Sequence, residues 1–372
     1  MSSASELRVD LDAINQNLRT AAELADGRAV LAAVKADAYG HGLVEVSRSI
    51  QSAGTAQWLG VALVSEAVEL RDAGITLPIL KFTITFPEEL PSALAASLTL
   101  TVADADGIAA VGAAAAAAGV VAPLHLKVDT GMRRIGAEPA DAVALARQVA
   151  DHPHLALDGL YTHLPVSDVP DGEDFTRDQL ARFEQVAADV RDAVGPVPWV
   201  HTANSGALLC HDLGTTTLVR PGIMLYGSYP DARTPRTRPL EPVARWTARV
   251  AFVKQVRQGE TVGYGRTWTA PRDTWVATVA IGYGDGYSRL LSNRGRMLVG
   301  GESRPVVGRV CMDQTMVDLG PERGEVQVGD YAVLAGSDGG DEISVAELAE
   351  LMDTIPYEVT CLITARVPRS YA

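Results

Sequence analysis

The chain has 372 residues, of which 47% are hydrophobic, and a formal net charge of −14 at pH 7. A chain of this length is expected to build more than one hydrophobic core, so we expect two domains. The negative charge argues against nucleic acids and anionic membranes as partners, and no apolar segment reaches the roughly 18 residues that a membrane span needs.

The cysteines and histidines narrow the class of protein further. Cys210, Cys311 and Cys361 are few and widely spaced, which is typical of reduced thiols rather than of a disulfide framework. The N-terminus has no basic flank followed by an apolar core, so no secretory signal is predicted. The seven histidines show no spacing typical of metal ligands. We therefore expect a cytoplasmic protein without a metal site.

Short β-type runs alternate with helical patterns in the first two thirds of the chain. Eight strands are predicted near Val30–Val34, Trp58–Leu63, Pro78–Phe82, Leu98–Val102, Leu124–Val128, Leu157–Thr162, Val197–His201 and Thr217–Val219. Helices are predicted at Leu43–Ala53, Ser65–Ala73, Asp104–Ala118, Pro139–Ala150 and Thr176–Ala193. Eight such units in about 220 residues favour a (β/α)8 TIM barrel. A doubly wound open sheet is the alternative, but it usually has fewer strands and a glycine-rich loop after the first one.

The composition changes after Gly227. Ser228–Pro242 is rich in proline and charge, which predicts a linker. Beyond it, β-type runs are predicted at Thr247–Val256, Trp275–Ile281, Pro305–Val310, Thr315–Leu319, Tyr331–Leu334 and Cys361–Val367, with one helix at Val345–Met352. We therefore expect a barrel domain over residues 1–235 and a mostly β domain over residues 236–372, with residues 1–10 available to pair with the second domain.

Reactive side chains follow several predicted barrel strands. They are Lys35, Lys127, the pair Arg133–Arg134, His163, Asn204 with Ser205, and Arg220. In barrels of this type, chemistry takes place at the carboxyl ends of the strands, and phosphate groups are often bound after strands 7 and 8. Ser205 and Gly206 begin a helix, where N–H groups and a hydroxyl can bind a dianion. A lysine beside a phosphate site suggests a Schiff base with pyridoxal phosphate (PLP).

Each of these residues also has a purely structural explanation. Lys35 alone would usually be a solvated charge at the rim, and His163 a hydrogen-bonded structural histidine. Arg220 alone would pair with a surface carboxylate, and Ser205 would cap a helix. Their coincidence at separate strand ends of one predicted barrel is what favours a functional site.

Motifs along nearly the whole chain resemble those of the alanine racemase family, the fold-type III PLP enzymes. They begin with VDLDAI at 9–14 and AAVKADAYGHG at 32–42. The others are KVDTGMRRIG at 127–136, HTANSGA at 201–207, RPGIMLYG at 220–227, VGYGRTW at 262–268, GYGDGYSR at 282–289, VGRVCMDQTMVDL at 307–319 and YEVTCLITARVPR at 357–369. The combination is specific, because other PLP barrels lack the tyrosine-containing motifs of the second domain.

The resemblance implies an enzyme that interconverts L-alanine and D-alanine and supplies D-alanine for peptidoglycan. Lys35 would bind PLP through a Schiff base and move the α-proton on one face of the substrate. Tyr264 would act as the second base on the opposite face, because a single base tends to preserve configuration. The family implies a head-to-tail homodimer in which Tyr264 comes from the partner chain.

The resemblance also assigns binding roles. Arg220 would face the pyridine nitrogen and weaken the electron sink, because a guanidinium does not readily give up a proton; His163 would orient it. The other residues expected to hold the cofactor are Tyr39, Asn204, Ser205, Gly222, Ile223 and Tyr357. Arg134 would contact the substrate carboxylate, and Met312 and Asp313 would close the pocket from the other subunit. Lys127 aligns with a lysine that is carbamylated in some relatives.

The chain departs from the family pattern in two places. Leu-Pro-Val-Ser-Asp follows His163 where small residues are expected, and Arg133 adds a charge beside Arg134. A racemase of broader specificity, or one acting on serine or basic amino acids, remains an alternative. A non-catalytic PLP-binding barrel is disfavoured because that class lacks a β domain bearing Tyr264 and Met312. A PLP-dependent decarboxylase is disfavoured because its cysteine–aspartate pattern is not found.

Overall fold

The computed structural model describes residues 4–372. The described chain begins with strand β1 (Ser5–Val9), which belongs to the second domain, and helix α1 (Leu11–Ala25). Eight parallel strands of the described residues then form one sheet: β2 (Ala29–Ala33), β3 (Trp58–Val61), β4 (Ile79–Lys81), β5 (Thr99–Val102), β6 (Ala122–Lys127), β7 (Leu155–Tyr161), β8 (Trp199–His201) and β9 (Leu218–Val219).

The sheet nearly closes on itself. Its strand order is β8-β7-β6-β5-β4-β3-β2-β9. The two ends of this row are joined by backbone hydrogen bonds from Thr217 N–H to Val200 O (2.8 Å) and from Arg220 N–H to Ala203 O (2.9 Å). The predicted (β/α)8 barrel is thereby confirmed, and the doubly wound alternative is excluded.

Helices lie between the barrel strands. They are α2 (Lys35–Gly40), α3 (Leu43–Ala53), α4 (Val64–Asp72), α5 (Leu90–Ala95), α6 (Ala105–Ala118), α7 (Ala142–Ala150), α8 (Glu173–Val194) and α9 (Ser205–Cys210). Local signals in the sequence set their ends. In α6, for example, the Asp104 carboxylate accepts the N–H of Gly107 at 2.7 Å, and Gly119 ends the helix at φ +67°. Among the described helices, none combines the length and apolarity that crossing a membrane requires.

The second domain is mostly β, as predicted. Its strands are β10 (Ala244–Val256), β11 (Thr261–Val262), β12 (Trp268–Thr269), β13 (Thr274–Val279), β14 (Arg296–Val299), β15 (Glu302–Pro305), β16 (Thr315–Gly320), β17 (Tyr331–Asp338), β18 (Asp341–Ile343) and β19 (Arg369–Tyr371). Strand β1 lies between β10 and β19, so the first described residues extend this sheet. Helices α10 (Val345–Met352) and α11 (Pro356–Cys361) complete the domain, and the predicted helix at Val345–Met352 is confirmed.

Two of the strands predicted in this domain are wrong. The predicted run Pro305–Val310 contains only the last residue of β15, and the hairpin partner β14 was not predicted. The predicted strand Cys361–Val367 does not form. The carbonyls of Ile363, Thr364 and Val367 instead accept hydrogen bonds of 2.6–2.7 Å from the Arg369 guanidinium, which gathers this segment into a turn.

The segment 228–242 is irregular, as the composition indicated, and it is tied to the barrel. The side chain of Asn17 donates to the carbonyls of Leu225 and Glu241 at 3.2 and 2.9 Å, and it accepts the N–H of Glu241 at 2.8 Å. One buried amide therefore anchors the connection to α1.

Candidate active site

Most of the predicted site residues meet in one cavity of about 500 Å³ at the carboxyl ends of the barrel strands. Its lining includes Lys35, Tyr39, Lys127, Arg134, His163, Asn204, Ser205, Arg220, Gly222, Ile223 and Tyr357. The neighbouring Arg133 is exposed and forms an ion pair with Glu138 at 2.5 Å. Arg134 is also exposed, but it lines the cavity and Arg133 does not, so Arg134 is the arginine of the pair that faces the cavity.

Lys35 opens an unusual backbone segment. Residues 36–39 have φ values between +51° and +56°, which makes one turn of left-handed helix. A left-handed conformation costs roughly 1–2 kcal/mol for each residue that has a side chain, so the surroundings must hold it. The Asp37 carboxylate does so locally by accepting the N–H of Leu43 at 2.7 Å.

Glu66, which the sequence analysis did not assign, fixes the start of this turn. Its carboxylate is buried and accepts the N–H groups of Ala36 (2.6 Å), Ala62 (2.8 Å) and Leu63 (3.0 Å). Three backbone donors are thereby satisfied by one side chain of α4. Glu66 thus sets the backbone that carries Lys35.

The second domain closes over the other end of the turn. Gly40 has φ +84°, and a Cβ at this position would lie 2.2 Å from the carbonyl oxygen of Thr360 in α11. The Gly40 carbonyl accepts two hydrogen bonds from Arg369, at 3.0 and 3.1 Å. Glycine is required here both for the backbone conformation and for the close approach. The same helix α11 brings Tyr357 to the cavity, with its ring 5.8 Å from that of Tyr39.

Four cationic side chains share the cavity: Lys35, Lys127, Arg134 and Arg220. Burial, and next the charge of Arg134, lowers the pKa of Lys35, while the Glu66 carboxylate acts in the opposite direction. Burial, followed by Arg134 and Arg220, lowers the pKa of Lys127 to about 8. Both lysines therefore hold a proton less tightly than an exposed lysine, and each has access to the neutral amine that acts as nucleophile or base.

Tyr161 lies between two of these charges. Its ring centroid is 5.3 Å from both the Lys127 ammonium and the Arg220 guanidinium carbon. The electron-rich face of an aromatic ring stabilises a cation that has lost its water. Burial raises the pKa of Tyr161 to about 12, so its phenol stays protonated. This residue was not assigned from the sequence, although it lies in the predicted strand Leu157–Thr162 and ends the observed strand β7.

Arg220 is held by several acceptors. Its guanidinium donates to His201 Nδ1 at 2.8 Å and to the carbonyls of Thr162 and Thr202 at 2.9 Å. The contact with His163 Nδ1 is longer, at 3.4 Å. His201 is therefore the imidazole in closer contact with Arg220. Burial lowers the pKa of Arg220 to about 10, which still leaves the guanidinium charged at neutral pH.

Tyr39, Ser205 and Gly222 converge on one side of the cavity. Ser205 Oγ accepts the N–H of Gly222 at 2.9 Å, and a Cβ at position 222 would lie 2.4 Å from the Tyr39 hydroxyl. Asn204 has a different role from its neighbours: its side chain caps α9 by accepting the N–H of Ala207, and it binds Ser167 Oγ and the carbonyl of Leu164. Asn204 thus orders the loop after His163, which departs from the family pattern.

Three other predicted site residues of the second domain lie outside the cavity. Tyr264 begins a short 3₁₀ turn (Tyr264–Arg266) and is 74% exposed, and Met312 is 53% exposed. Asp313 forms an ion pair with Arg366 at 2.7 Å. These residues are not part of the cavity lining in the single chain.

Comparison with known proteins shows to which family this chain belongs. The model of the alanine racemase N-terminal domain matches residues 9–230, and that of the alanine racemase C-terminal domain matches residues 243–371. The chain belongs to the alanine racemase family. Enzymes of this family are PLP-dependent isomerases.

Relatives and solved structures match this chain over almost its full length. The chain is 47% identical over 367 residues to the alanine racemase of Cutibacterium acnes, which covers 99% of this chain and 97% of that protein. A solved alanine racemase from Streptomyces coelicolor A3(2) has 37% identity and a TM-score of 0.92 over 99% of this chain and 98% of the other. A histidine racemase from Leuconostoc mesenteroides subsp. sake has 29% identity and a TM-score of 0.91, covering 100% and 98%.

The residues present fit PLP. A phosphate and a substrate carboxylate are anions, and charge-assisted hydrogen bonds to arginine and lysine are the strong contacts of such groups. The cavity offers four cations and the hydroxyls of Tyr39, Ser205 and Tyr357. Gly222 leaves the room beside Tyr39 that a side chain would fill.

The lowered pKa of Lys127 gives a stability prediction. Between about pH 8 and 10.5 the unfolded chain holds a proton on Lys127 that the folded chain has lost, so this residue makes stability rise with pH in that window. Below pH 8 the buried charge destabilises the fold. Lys127→Met should therefore be more stable than wild type by roughly 3 kcal/mol at pH 7, and the difference should vanish towards pH 10.5.

Urea unfolding in carbon-dioxide-free buffer measures this difference. Lys254→Met is the matched control, because Lys254 is exposed on β10. Its difference from wild type should be small and independent of pH. A pH-independent difference for Lys127→Met would show that the lysine is not desolvated in the folded chain.

Proposed function

We propose that this protein is a PLP-dependent racemase that interconverts L-alanine and D-alanine. The observation that carries the proposal is the meeting of Lys35, Lys127, Arg134 and Arg220 in one cavity, in a chain that belongs to the alanine racemase family. A cluster of cations of which three are largely removed from water is unfavourable without anions, and an amino acid bound beside a phosphate-bearing cofactor would supply them.

Named residues of the cavity would hold the cofactor. Lys35 would bind PLP covalently through its amine, Arg220 would face the pyridine nitrogen, and Arg134 would contact the substrate carboxylate. The phosphate would be bound by the hydroxyls of Tyr39, Ser205 and Tyr357 and by the backbone at Gly222 and Ile223. When bound, PLP withdraws electrons from the substrate α-carbon and makes its proton acidic.

Side chains of the protein would then remove and return the α-proton of the substrate. The Lys35 amine, with its lowered pKa, would accept and return the α-proton on one face. Arg220 stays charged and keeps its proton, which would restrain the cofactor from side reactions such as transamination. The opposite face needs a second group, because one base working alone tends to return the proton to the side it came from.

We propose that the partner's Tyr264 supplies this second group in a head-to-tail homodimer. Tyr264 is 74% exposed and lies outside the cavity of its own chain, which a contact with a second copy would explain. Met312 and Asp313 would approach the cavity in the same way. The barrel (residues 1–235) would thus provide Lys35, and the β domain (residues 236–372) of the other copy would provide the second base.

Lys127 is proposed as a carbamylation site. Its neutral amine would attack carbon dioxide, so that an N–C bond forms and one proton is released. The resulting anion would lie among Arg134 and the other cations of the cavity. Adding bicarbonate to the unfolding experiment above should then stabilise wild type and leave Lys127→Met unchanged.

Alanine is the proposed substrate, and the product D-alanine would serve peptidoglycan synthesis. The enzyme is proposed to be cytoplasmic, consistent with three free thiols. The second candidate substrate is an amino acid with a basic side chain. Asp168 and Asp231 both line the cavity, where carboxylates favour a cation, and a structural relative is a histidine racemase.

Proton NMR in heavy water distinguishes these substrates. The PLP-loaded protein is expected to remove the α-proton signal of L-alanine and to produce D-alanine in chiral analysis. Its kcat/KM for L-alanine should exceed that for L-histidine by at least about 100-fold, because a pocket fitted to a methyl group excludes the ring. Equal turnover of the two would favour the second candidate, and no exchange with either would refute the racemase proposal.

Hybrid dimers test which chain supplies Tyr264. Lys35→Ala should abolish activity, and Tyr264→Phe should impair the two directions of the reaction strongly and unequally. Coexpression of the two variants with different affinity tags yields purified hybrids. If Tyr264 acts across the interface, one site of each hybrid contains both substitutions and the other is intact, so about half of wild-type activity is expected. If it acts within its own chain, the hybrid should be as inactive as its parents.

A further inference from the structure

A row of buried polar groups leads from the cavity to a carboxylate outside its lining. Arg220 Nη1 lies 2.8 Å from His201 Nδ1, and His201 Nε2 lies 2.9 Å from His125 Nδ1. His125 Nε2 lies 3.7 Å from Asp158 Oδ2. Both imidazoles are fully buried, whereas the Asp158 side chain is 28% exposed. We call these four residues the Arg220–Asp158 relay.

Arg220 determines which nitrogen of each imidazole carries the proton. A guanidinium can only donate, so His201 Nδ1 must accept and its hydrogen must be on Nε2. That hydrogen points at His125 Nδ1, which must accept in turn. His125 therefore carries its hydrogen on Nε2, facing Asp158. Both hydrogen bonds run in one direction, from the cation towards the carboxylate, and the last N–H faces Asp158 at 3.7 Å.

Electrostatics keeps both rings neutral. Burial, and next the charge of Arg220, lowers the pKa of His201 well below its ordinary value. Burial lowers the pKa of His125, and the nearby Asp158 only partly opposes this. A protonated ring would also put a second donor against Arg220 or His201, where an acceptor is required.

The backbone of β7 leaves room for the His125 ring. A Cβ at Gly159 would lie 2.5 Å from the His125 ring, so only glycine leaves room for the imidazole. The register between β6 and β7 shifts at this point and leaves Asp158 without a paired residue, as in a β-bulge, which re-aims a side chain. Tyr161 stacks on His201 at 4.7 Å with an interplanar angle of 4°. The last N–H of the row, on His125 Nε2, has no acceptor within hydrogen-bonding distance among the described residues.

We propose that Asp158 and His125 are positioning residues of the racemase, acting through His201 to fix the orientation of Arg220 and to balance its charge. The proposal rests on the proposed function, in which Arg220 faces the pyridine nitrogen. A small shift of the partly exposed Asp158 carboxylate, now 3.7 Å from His125 Nε2, would complete the last hydrogen bond. The hydrogen bond from His201 to His125 fixes the orientation of the His201 ring. His201 in turn fixes the orientation of Arg220.

The first test needs neither cofactor nor turnover. Nitrogen-15 NMR of histidine-labelled protein without PLP reports the tautomer and charge of each ring. At about pH 7, His125 and His201 are expected to be neutral with hydrogen on Nε2, because Arg220 cannot accept. A His125→Asn variant assigns the His125 signals. Hydrogen on Nδ1 in either ring, or a positive charge on either, would overturn the relay.

The second test uses Asp158→Asn with Asp151→Asn as the matched control, since Asp151 is an exposed carboxylate shortly before the same strand. Loss of the Asp158 charge should weaken PLP binding and lower kcat by about three- to tenfold, because a contact at 3.7 Å acts through charge alone and is weaker than a charge-assisted hydrogen bond. The KM for alanine should stay unchanged, because Arg134 and not Arg220 is assigned to the substrate carboxylate. Asp158→Asn behaving like Asp151→Asn would overturn the proposal.

Two substitutions of His125 test whether a hydrogen-bond acceptor for His201 is needed. His125→Leu removes the acceptor of His201, whereas His125→Asn retains an oxygen near the former Nδ1. PLP affinity should fall more in His125→Leu than in His125→Asn, and equal losses would contradict the relay. Because PLP affinity and the tautomers are measured without turnover, a wild type that binds PLP but does not racemise would refute the proposed function while these results still decide on the relay.

Discussion

The concentration of positive charge at the open end of the barrel is the constraint on which the rest of the site depends. Lys35, Lys127, Arg134 and Arg220 share one cavity, and burial is the largest cause of the lowered pKa of Lys35, Lys127 and Arg220. Such an arrangement persists only if other groups compensate for the lost water. Glu66, the Tyr161 ring, backbone carbonyls and the histidines behind Arg220 supply that compensation.

Backbone strain is compensated by the same packing. The left-handed turn after Lys35 is bound at its start by Glu66 from α4, and its end is bound by Arg369 and packs closely against Thr360 of the second domain. Strained segments persist where their surroundings over-determine them. The β domain thus has a role within its own chain, because it holds the lysine-bearing turn in place from the far side.

The sequence was sufficient for the barrel and for most of the cavity. Apolar runs alternate with helical patterns, and the strand ends of a parallel barrel meet at one rim, so the sequence alone places Lys35, Arg134 and Arg220 together. The strand predicted at Cys361–Val367 was wrong because its carbonyls bind Arg369 rather than a neighbouring strand.

Apart from His163, the residues that position the cavity groups from a distance along the chain were not predicted. The Glu66 carboxylate accepts the backbone N–H of Ala36 across 30 positions, and His125 contacts His201 across 76. A lone glutamate in a helix or a histidine in a strand has no local signal for such a partner. Tyr264 was assigned only through the family resemblance, because an exposed tyrosine in a glycine-flanked turn indicates nothing by itself.

The most direct measurement of the central claim is to locate the lysine that binds PLP. The chain has four lysines, Lys35, Lys81, Lys127 and Lys254, so reduction of the PLP-loaded protein with borohydride, followed by digestion and mass spectrometry, gives an unambiguous answer. The account predicts that the reduced cofactor is found on the peptide containing Lys35. Label on Lys127, on Lys81 or on no lysine would contradict it.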